Sequence, residues 1–346
     1  MKAIYFTEFK GTLSVVDIAI PVPTDAGVVI KVQATGLCRS DWHAWMGHDS
    51  DIVLPHVPGH EFAGVISSVG SLVSKFAVGD RVTVPFVCGC GKCTYCLRGD
   101  AQVCPTQTQP GFTGFGSFAE YVAIDNADFN LIHIPAEVSF ATAAALGCRF
   151  ATSYRGLIKR AKVKSGETVA IFGCGGVGLA AIMIAKSRGA TVVGIDTSNP
   201  ARDRARLAGA DYVLDSIHDD VVEEIKKYAP AGADLTVDAL GSIATSKLAV
   251  ESLRRLGRHV QVGLLPTAEV KDQATVPMHT VIGRELTIMG SHGMSAAHYP
   301  EMLAEIASGV LRPDTLVERT ITLDEVPDAL AQLGTNPLPG ITIIKP

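Results

Sequence analysis

Residues 168–178 read T-V-A-I-F-G-C-G-G-V-G. A run of apolar β-formers enters a glycine-rich turn, and the helical stretch GLAAIMIAKSRG leaves it. Gly173, Gly175 and Gly178 fit G-x-G-x-x-G in the strand–turn–helix context that gives this pattern physical meaning. The first glycine permits the tight turn, the second lets backbone approach a pyrophosphate, and the third lets helix and strand pack closely. The helix N-terminus then offers free N–H groups to phosphates. Gly176 and Val177 lie in the same turn, and Cys174 reads as an inert small residue there. The next strand, ATVVGID, ends in Asp196. A carboxylate there accepts hydrogen bonds from adenosine ribose hydroxyls and repels a 2′-phosphate, which favours NAD over NADP. Arg202 and Arg204 are nearby cations that leave some room for NADP, and Arg202 is counted among the cofactor residues.

This loop sits inside a larger alternation. After about Ala143 the strand candidates ETVAIFG, ATVVGID, DLTVDALG, GRHVQVGL and ELTIMGS are separated by helical stretches. Short apolar strands between amphipathic helices indicate a parallel sheet covered on both faces, the doubly wound α/β arrangement. The earlier part differs. GVVIKVQAT, FAGVISSVG, DRVTVPF and FAEYVAI alternate or cluster Val, Ile and Phe between turn residues, as in a partly closed β domain. After about residue 290, PEMLAEIASGVL and GITIIKP either return to the first domain or append to the α/β sheet.

A length of 346 residues suits two such domains, and 47% apolar with 19% charged residues excludes an intrinsically disordered chain. A net charge of -5 argues against a general nucleic-acid binder, which shows a basic face. No apolar run approaches the roughly 20 residues that span a bilayer. MKAIYFTEF has neither the apolar core nor the cleavage site of a signal peptide, so a cytoplasmic protein is expected. The eight cysteines are accordingly read as ligands or buried thiols before disulfides.

Four of them make a pattern. Cys90, Cys93, Cys96 and Cys104 follow C-x2-C-x2-C-x7-C, which can close a tetrahedron around zinc. Four sulfurs leave no position for a substrate, so this site is expected to be structural. An iron–sulfur cluster is the chemical rival, since thiolates serve both. Cys88 is a bystander beside the cluster or an exchangeable ligand.

Three more segments complete the picture: G-L-C-R-S-D-W-H around Cys38, G-H-E-x2-G-x5-G from Gly59, and L-G-C-R-F-A-T around Cys148. Together they supply two thiols, an imidazole and a carboxylate, enough for a zinc site with an open fourth position. With these segments, the four-cysteine run and the nucleotide loop in this order, the chain resembles the zinc-dependent medium-chain alcohol dehydrogenase family over nearly its whole length.

The resemblance implies a GroES-like β-rich catalytic domain (residues 1–147 and 290–346) and a Rossmann doubly wound parallel-sheet domain (residues 148–289), with the active site between them. It implies two zinc ions per chain and NAD. Cys38, His60 and Cys148 would hold the catalytic zinc. Glu61 matches the carboxylate beside it, Asp41 the acid that orients the zinc-bound histidine, Ser40 the hydroxyl that meets the substrate oxygen, and His43 the far end of the proton relay. Arg39 matches a pyrophosphate contact, and Thr152 and Val177 match residues at the nicotinamide.

Two departures stand out. The stretch P-L-P-G-I-T-I-I lacks the Arg that many members place near the C-terminus, and Arg149 follows Cys148 where a small residue is common. The implied reaction is reversible hydride transfer between an alcohol, primary or secondary, and NAD, giving aldehyde or ketone. Trp42, Trp45, Phe86 and Phe115 are either pocket walls or core. A polyol or amino-alcohol dehydrogenase is the alternative, but such members often carry Glu as third ligand, which Cys148 opposes. A redox-inactive zinc-stabilised binding module is the competing class, opposed by the acidic balance and the second site. The expected partners are a small-molecule substrate and further copies of the chain, a tetramer before a dimer, with neither nucleic acid nor membrane.

Overall fold

In a computed structural model the described residues are 1–265, 276–335 and 340–346. They divide into two compact units. The first comprises Met1–Ala151, Gly293–Gly309 and Pro313–Pro346; the second comprises Thr152–His292 and Val310–Arg312.

The first unit opens with an antiparallel pair, β1 (Lys2–Tyr5) and β2 (Ser14–Asp17). The ten-residue β3 (Val28–Leu37) is the centre of its larger sheet. β4 (Phe62–Val69) runs antiparallel beside it, followed by β5 (Arg81–Thr83), β6 (Tyr121–Ile124) and β7 (Ile132–His133). β6 pairs with β3, and β7 with β5. The four β-rich segments picked out above are the segments that carry β3 to β6. Their apolar side chains, among them Val28, Ile30, Phe62, Ile66, Val82 and Val122, form one buried cluster.

The register of β3 and β4 does the positioning. Thr35 lies opposite Phe62 and Ala34 opposite Ala63, and Gly36 N–H donates to Glu61 O at 2.7 Å. Cys38 therefore leaves the end of β3 where His60 and Glu61 enter β4.

The second unit is one parallel sheet: β8 (Thr168–Phe172), β9 (Thr191–Ile195), β10 (Tyr212–Leu214), β11 (Ala233–Asp238), β12 (Leu253–Gln261) and β13 (Thr287–Gly290), in the order β10-β9-β8-β11-β12-β13. All five residues of β8 are buried, as an apolar run needs when both faces of a sheet are covered. Helices Gly176–Ser187, Asn199–Leu207, Val221–Tyr228 and Ile243–Glu251 fall between the strands. The side chains of Asp220 and Ser242 cap the last two. Strand order reverses direction between β8 and β11, the switch point outside which such sheets bind ligands.

β14 (Val317–Thr322) and β15 (Ile341–Lys345) then join the first unit's sheet, with Ile343 of β15 opposite Gly36 of β3. The first passage between units falls after Ala151 rather than after Gly147, and the second after His292 rather than before Gly290. Cys148 stays with the first unit because its N–H is bonded to Glu61. The stretch without the C-terminal Arg lies partly outside the described residues. Among the described residues no helix is long and apolar enough to cross a membrane.

Candidate metal centres and nucleotide loop

Cys38, His60 and Cys148 each bring one donor atom to within 4.8 Å of the others. His60 is fully buried, and its Nδ1 lies 2.8 Å from Asp41 Oδ1. Its Nε2 is buried with no hydrogen-bond partner. A buried imidazole nitrogen left bare beside two sulfurs is the arrangement a zinc ion requires. Asp41 does more than orient the ring. Its Oδ2 accepts from Cys38 N–H at 2.9 Å, and its Oδ1 also accepts from Gly59 N–H at 3.1 Å. One carboxylate thus joins the two segments that carry the first two ligands. Gly59 has φ +106°, and a Cβ there would lie 2.5 Å from Phe118 Cδ1.

Glu61 and Arg149 form a second brace. Glu61 Oε1 accepts from Cys148 N–H at 2.9 Å, from Arg149 N–H at 3.0 Å and from Arg149 Nε at 3.3 Å. Glu61 Oε2 pairs with Arg149 Nη2, and both side chains are buried. Space for the pair is cleared by glycines: a Cβ on Gly36 would lie 2.7 Å from Glu61 Oε2, and one on Gly147 2.9 Å from Glu61 Cα. The cation that had no role in the sequence is the counter-ion of Glu61. Cys148 itself sits in a wide π-helical turn, Leu146–Phe150, a local geometry common at functional sites.

The electrostatics follow from this packing. A hydrogen bond with Cys148 is the main cause holding the Cys38 thiol well below its ordinary range, helped by His60 and Arg149 against the opposing effect of burial. Cys148 moves up, first through the same bond and then through burial. Burial alone would favour neutral His60, but Asp41 and Cys38 outweigh it and raise its pKa well above the usual value. Burial raises Glu61, with Arg149 pulling the other way.

Ser40 and His43 occupy the short helix Arg39–Trp45, with Ser40 Oγ 3.8 Å from Cys38 Sγ. Arg39 is exposed, donates to Leu333 O at 3.1 Å and lies over the Trp42 ring. Trp42 and Trp45 pack on a second buried cluster, around Ile4, Phe6, Leu37 and Ile344, and Trp45 Nε1 donates to Gly11 O. Phe86 is buried with its ring centre 6.1 Å from that of His60, whereas Phe115 is half exposed, edge-on to Tyr5 and His56. Sequence reasoning missed Phe112, whose ring lies 5.1 Å from His60; its only signal is a glycine-flanked place in G-F-T-G-F-G.

The other cluster is compact. The four sulfurs of Cys90, Cys93, Cys96 and Cys104 lie within 4.8 Å of one another, with Cys90–Cys96 at 4.0 Å and Cys93–Cys104 at 3.8 Å. A tetrahedron with zinc–thiolate bonds of about 2.3 Å has edges of about 3.8 Å. Backbone N–H groups of Lys92 and Cys93 are the main cause lowering Cys90 to about 6, while burial raises Cys96 to about 12. Cys88 stays outside the tetrad, with its buried Sγ 3.6 Å from Pro85 O.

In the second unit, Gly173 has φ +90°, and a Cβ on Gly178 would fall 1.8 Å from Gly173 O. A Cβ on Gly175 would meet nothing within 4 Å, so the loop is open where a phosphate must approach. Gly175 caps the helix that begins with Gly176 and Val177. Asp196 Oδ2 accepts from Cys174 N–H and its Oδ1 from Ser198 N–H, both at 2.8 Å. Val177 O accepts from Ser153, and Thr152 Oγ1 is buried with no partner. Arg202 is turned inward: it donates to Asp196 O at 2.7 Å, bonds Asn199 and pairs with Asp215 at 2.9 Å.

Comparison with known proteins agrees with this geometry. Residues 24–136 match the alcohol dehydrogenase GroES-like domain, and residues 176–308 match the zinc-binding dehydrogenase domain. An alcohol dehydrogenase of Geobacillus stearothermophilus is 34% identical, covering 100% of this chain and 99% of that one. The chain belongs to the zinc-dependent medium-chain alcohol dehydrogenase family. A sorbitol dehydrogenase of Halalkalibacterium halodurans is 32% identical over 94% of each chain. The crystal structure of an NAD-dependent alcohol dehydrogenase superposes with a TM-score of 0.89 at 29% identity, covering 100% of both chains. As a member of the family the chain is an oxidoreductase, a zinc-type alcohol or polyol dehydrogenase built from a GroES-like and a Rossmann-like domain.

Proposed function

We propose that the chain is an NAD-dependent alcohol dehydrogenase that interconverts primary or secondary alcohols, alkyl or aryl, with aldehydes or ketones. The observation that carries this reading is the bare, buried Nε2 of His60 set with two thiol sulfurs, a group of three donors among the described residues. Three protein ligands leave a position for substrate, as catalytic zinc sites do. When bound there, zinc supplies a Lewis acid for the alcohol oxygen and NAD supplies the hydride acceptor.

The chain's own residues do the rest. Asp41 fixes the His60 tautomer and ties it to the Cys38 segment. Glu61 is held by Arg149 and two backbone N–H groups, which leaves the fourth position to the substrate. Ser40 takes the hydroxyl proton by hydrogen bond, and His43, one turn along the same helix, is the base that carries it on. Phe86 and Phe112 beside His60 offer apolar faces suited to alkyl or aryl groups, which favours simple alcohols over polyols. The four-cysteine lobe holds a second, structural zinc.

Gly173, Gly175, Gly176, Val177 and Gly178 bind the pyrophosphate of NAD, with Asp196 at the ribose and Thr152 at the nicotinamide. Arg39 and Arg202 have a lesser part: Arg202 is committed to Asp215, so its charge is spent within the protein. Eight cysteines without disulfide partners support a reducing, cytoplasmic setting. A homotetramer is part of the same reading on length alone, and light scattering tests it.

Absorbance growth at 340 nm with NAD across alcohols and polyols is the deciding experiment. Turnover of simple alcohols is expected; turnover confined to polyols would overturn the substrate reading, and no turnover of either would overturn the whole. Asp196→Gly is expected to reduce the NAD-over-NADP ratio of kcat/KM about tenfold or more, since a repelling carboxylate is worth several kcal/mol. A parent enzyme that already prefers NADP would remove Asp196 from this role.

A further inference from the structure

We infer that His48 is the outlet of the proton path that begins at Ser40 and His43, a positioning and relay residue that hands the proton to water. The inference rests on the relay reading of His43 given above. Ser40 and His43 are three apart on one helix and so share a face. His43 Nδ1 lies 2.9 Å from Nδ1 of His48. His43 is half-buried and His48 is exposed, so the pair runs from the protein towards solvent.

The pair is built into the backbone. His48 N–H donates to His43 O at 3.0 Å, closing the turn after the helix. Gly47 makes that turn with φ +74°, and a Cβ there would press on the Phe9 ring at 2.9 Å. Trp42 meets both imidazoles edge-on, with ring centres 4.9 Å from His43 and 5.6 Å from His48. Two rings fixed by one indole are not a chance meeting of mobile side chains.

An imidazole takes a proton on one nitrogen and gives one up from the other. The relay runs from the tautomers in which His43 Nδ1–H donates to His48 Nδ1 and His48 carries its proton on Nε2. A proton accepted at His43 Nε2 is matched by transfer of the Nδ1 proton to His48 and loss of the His48 Nε2 proton to water. One proton enters, one leaves, and neither ring keeps a charge; exchange with water resets both tautomers. Burial, then His48 and Arg39, lower the pKa of His43, while the Cys38 thiolate opposes them. The helix Val326–Thr335 packed on this one brings Asp328 in its first turn, and Asp49 follows His48 with Oδ1 taken by Asp51 N–H. The lowered pKa favours the neutral form of His43, the form that accepts a proton.

The test uses zinc-loaded enzyme in dilute buffer, comparing the parent with His48→Gln, His48→Asn and His43→Gln. The His48 variants are expected to lower kcat for alcohol oxidation near pH 7 about three- to tenfold, a small part of what a positioned acid–base group gives. KM should hold, and added imidazole should restore the rate. In the same enzyme without nucleotide, 15N-histidine NMR should show His43 titrating at higher pH once His48 is gone. If both His48 variants match the parent at every buffer concentration while His43→Gln is slow, His48 is a bystander and the His43 reading survives. A slow rate that imidazole does not restore, with a lowered Tm, makes His48 structural and overturns the inference. If His43→Gln is as fast as the parent, the relay reading falls and this inference falls with it.

Discussion

The two candidate metal sites of the first unit solve the same coordination problem in opposite ways. The four-cysteine lobe takes all its ligands from residues 90–104, and its thiols are tuned by N–H groups of its own loop. The other site gathers Cys38, His60 and Cys148 from three distant segments. It holds them by β3–β4 register and by two buried carboxylates, Asp41 and Glu61, each bonded to two of the segments or to their neighbours. A local site can form as the loop folds around its ion, whereas a dispersed site exists only after the sheet is made. An ion in the first would therefore contribute folding energy, whereas the second would inherit its geometry from folding that is already complete.

Ligand replacement should separate the two most sharply. Cys38→Ala or His60→Ala is expected to cost about 10³-fold or more in turnover, the several kcal/mol that a Lewis acid supplies, with one metal lost per chain and little change in Tm. Cys96→Ala is expected to lose the other metal and lower Tm markedly, with the surviving folded enzyme still active. Metal analysis, turnover and a melting curve on each variant decide it. Retained activity in Cys38→Ala, or an unchanged Tm in Cys96→Ala, would erase the contrast.

The brace comes next. Arg149→Met leaves Glu61 buried without its cation, and breaking such a pair costs about 3–5 kcal/mol. The double change Arg149→Met with Glu61→Gln should cost less than the single one, because no buried charge is stranded. Denaturant melts of the three proteins measure this. A single variant as stable as the parent would show that the pair carries no load.

How much of this was legible in the sequence differs between the two sites for the same physical reason. The spacing of Cys90, Cys93, Cys96 and Cys104 is itself the geometry, because a short loop leaves its thiols few places to go. Nothing local links Cys38, His60 and Cys148; resemblance assembled them, and β3–β4 register brings the first two together while Glu61 holds the third through its N–H. In the second unit, Gly173 and Gly178 were readable because steric exclusion of a side chain is written as glycine. Arg149 was unreadable, since its partner Glu61 is distant in sequence and becomes a neighbour only through the wide turn at Cys148. Arg202 shows the converse: a cation near a nucleotide loop invites a phosphate, and the fold also gives it Asp215 as a partner that the sequence does not reveal.

Chelation orders the two sites by strength. Three ligands hold an ion less firmly than four, and the fourth position opens the catalytic site to an incoming chelator. Activity is therefore expected to fall before Tm as chelator is raised, with the two losses resolved in concentration. Coincident losses would mean that the sites are not independent.

The smallest effect lies within the lobe once its metal is gone. Cys90 has its pKa lowered to about 6 by N–H groups of Lys92 and Cys93, so in the folded, metal-free protein it is mostly thiolate at pH 7. Cys96, raised to about 12 by burial, is a thiol at the same pH. The thiolate is the reactive form, so iodoacetamide at pH 7 should label Cys90 first and Cys96 last, read by peptide mass. The sign of the pH dependence follows. Because the folded-state value of Cys90 lies below that of an unfolded thiol, its contribution to stability is full above the unfolded value and is lost as pH falls through about 6. Labelling of Cys96 before Cys90 would show that the backbone donors do not persist without the ion. The lobe would then be shaped by its metal alone, and the contrast with the pre-built dispersed site would be sharper still.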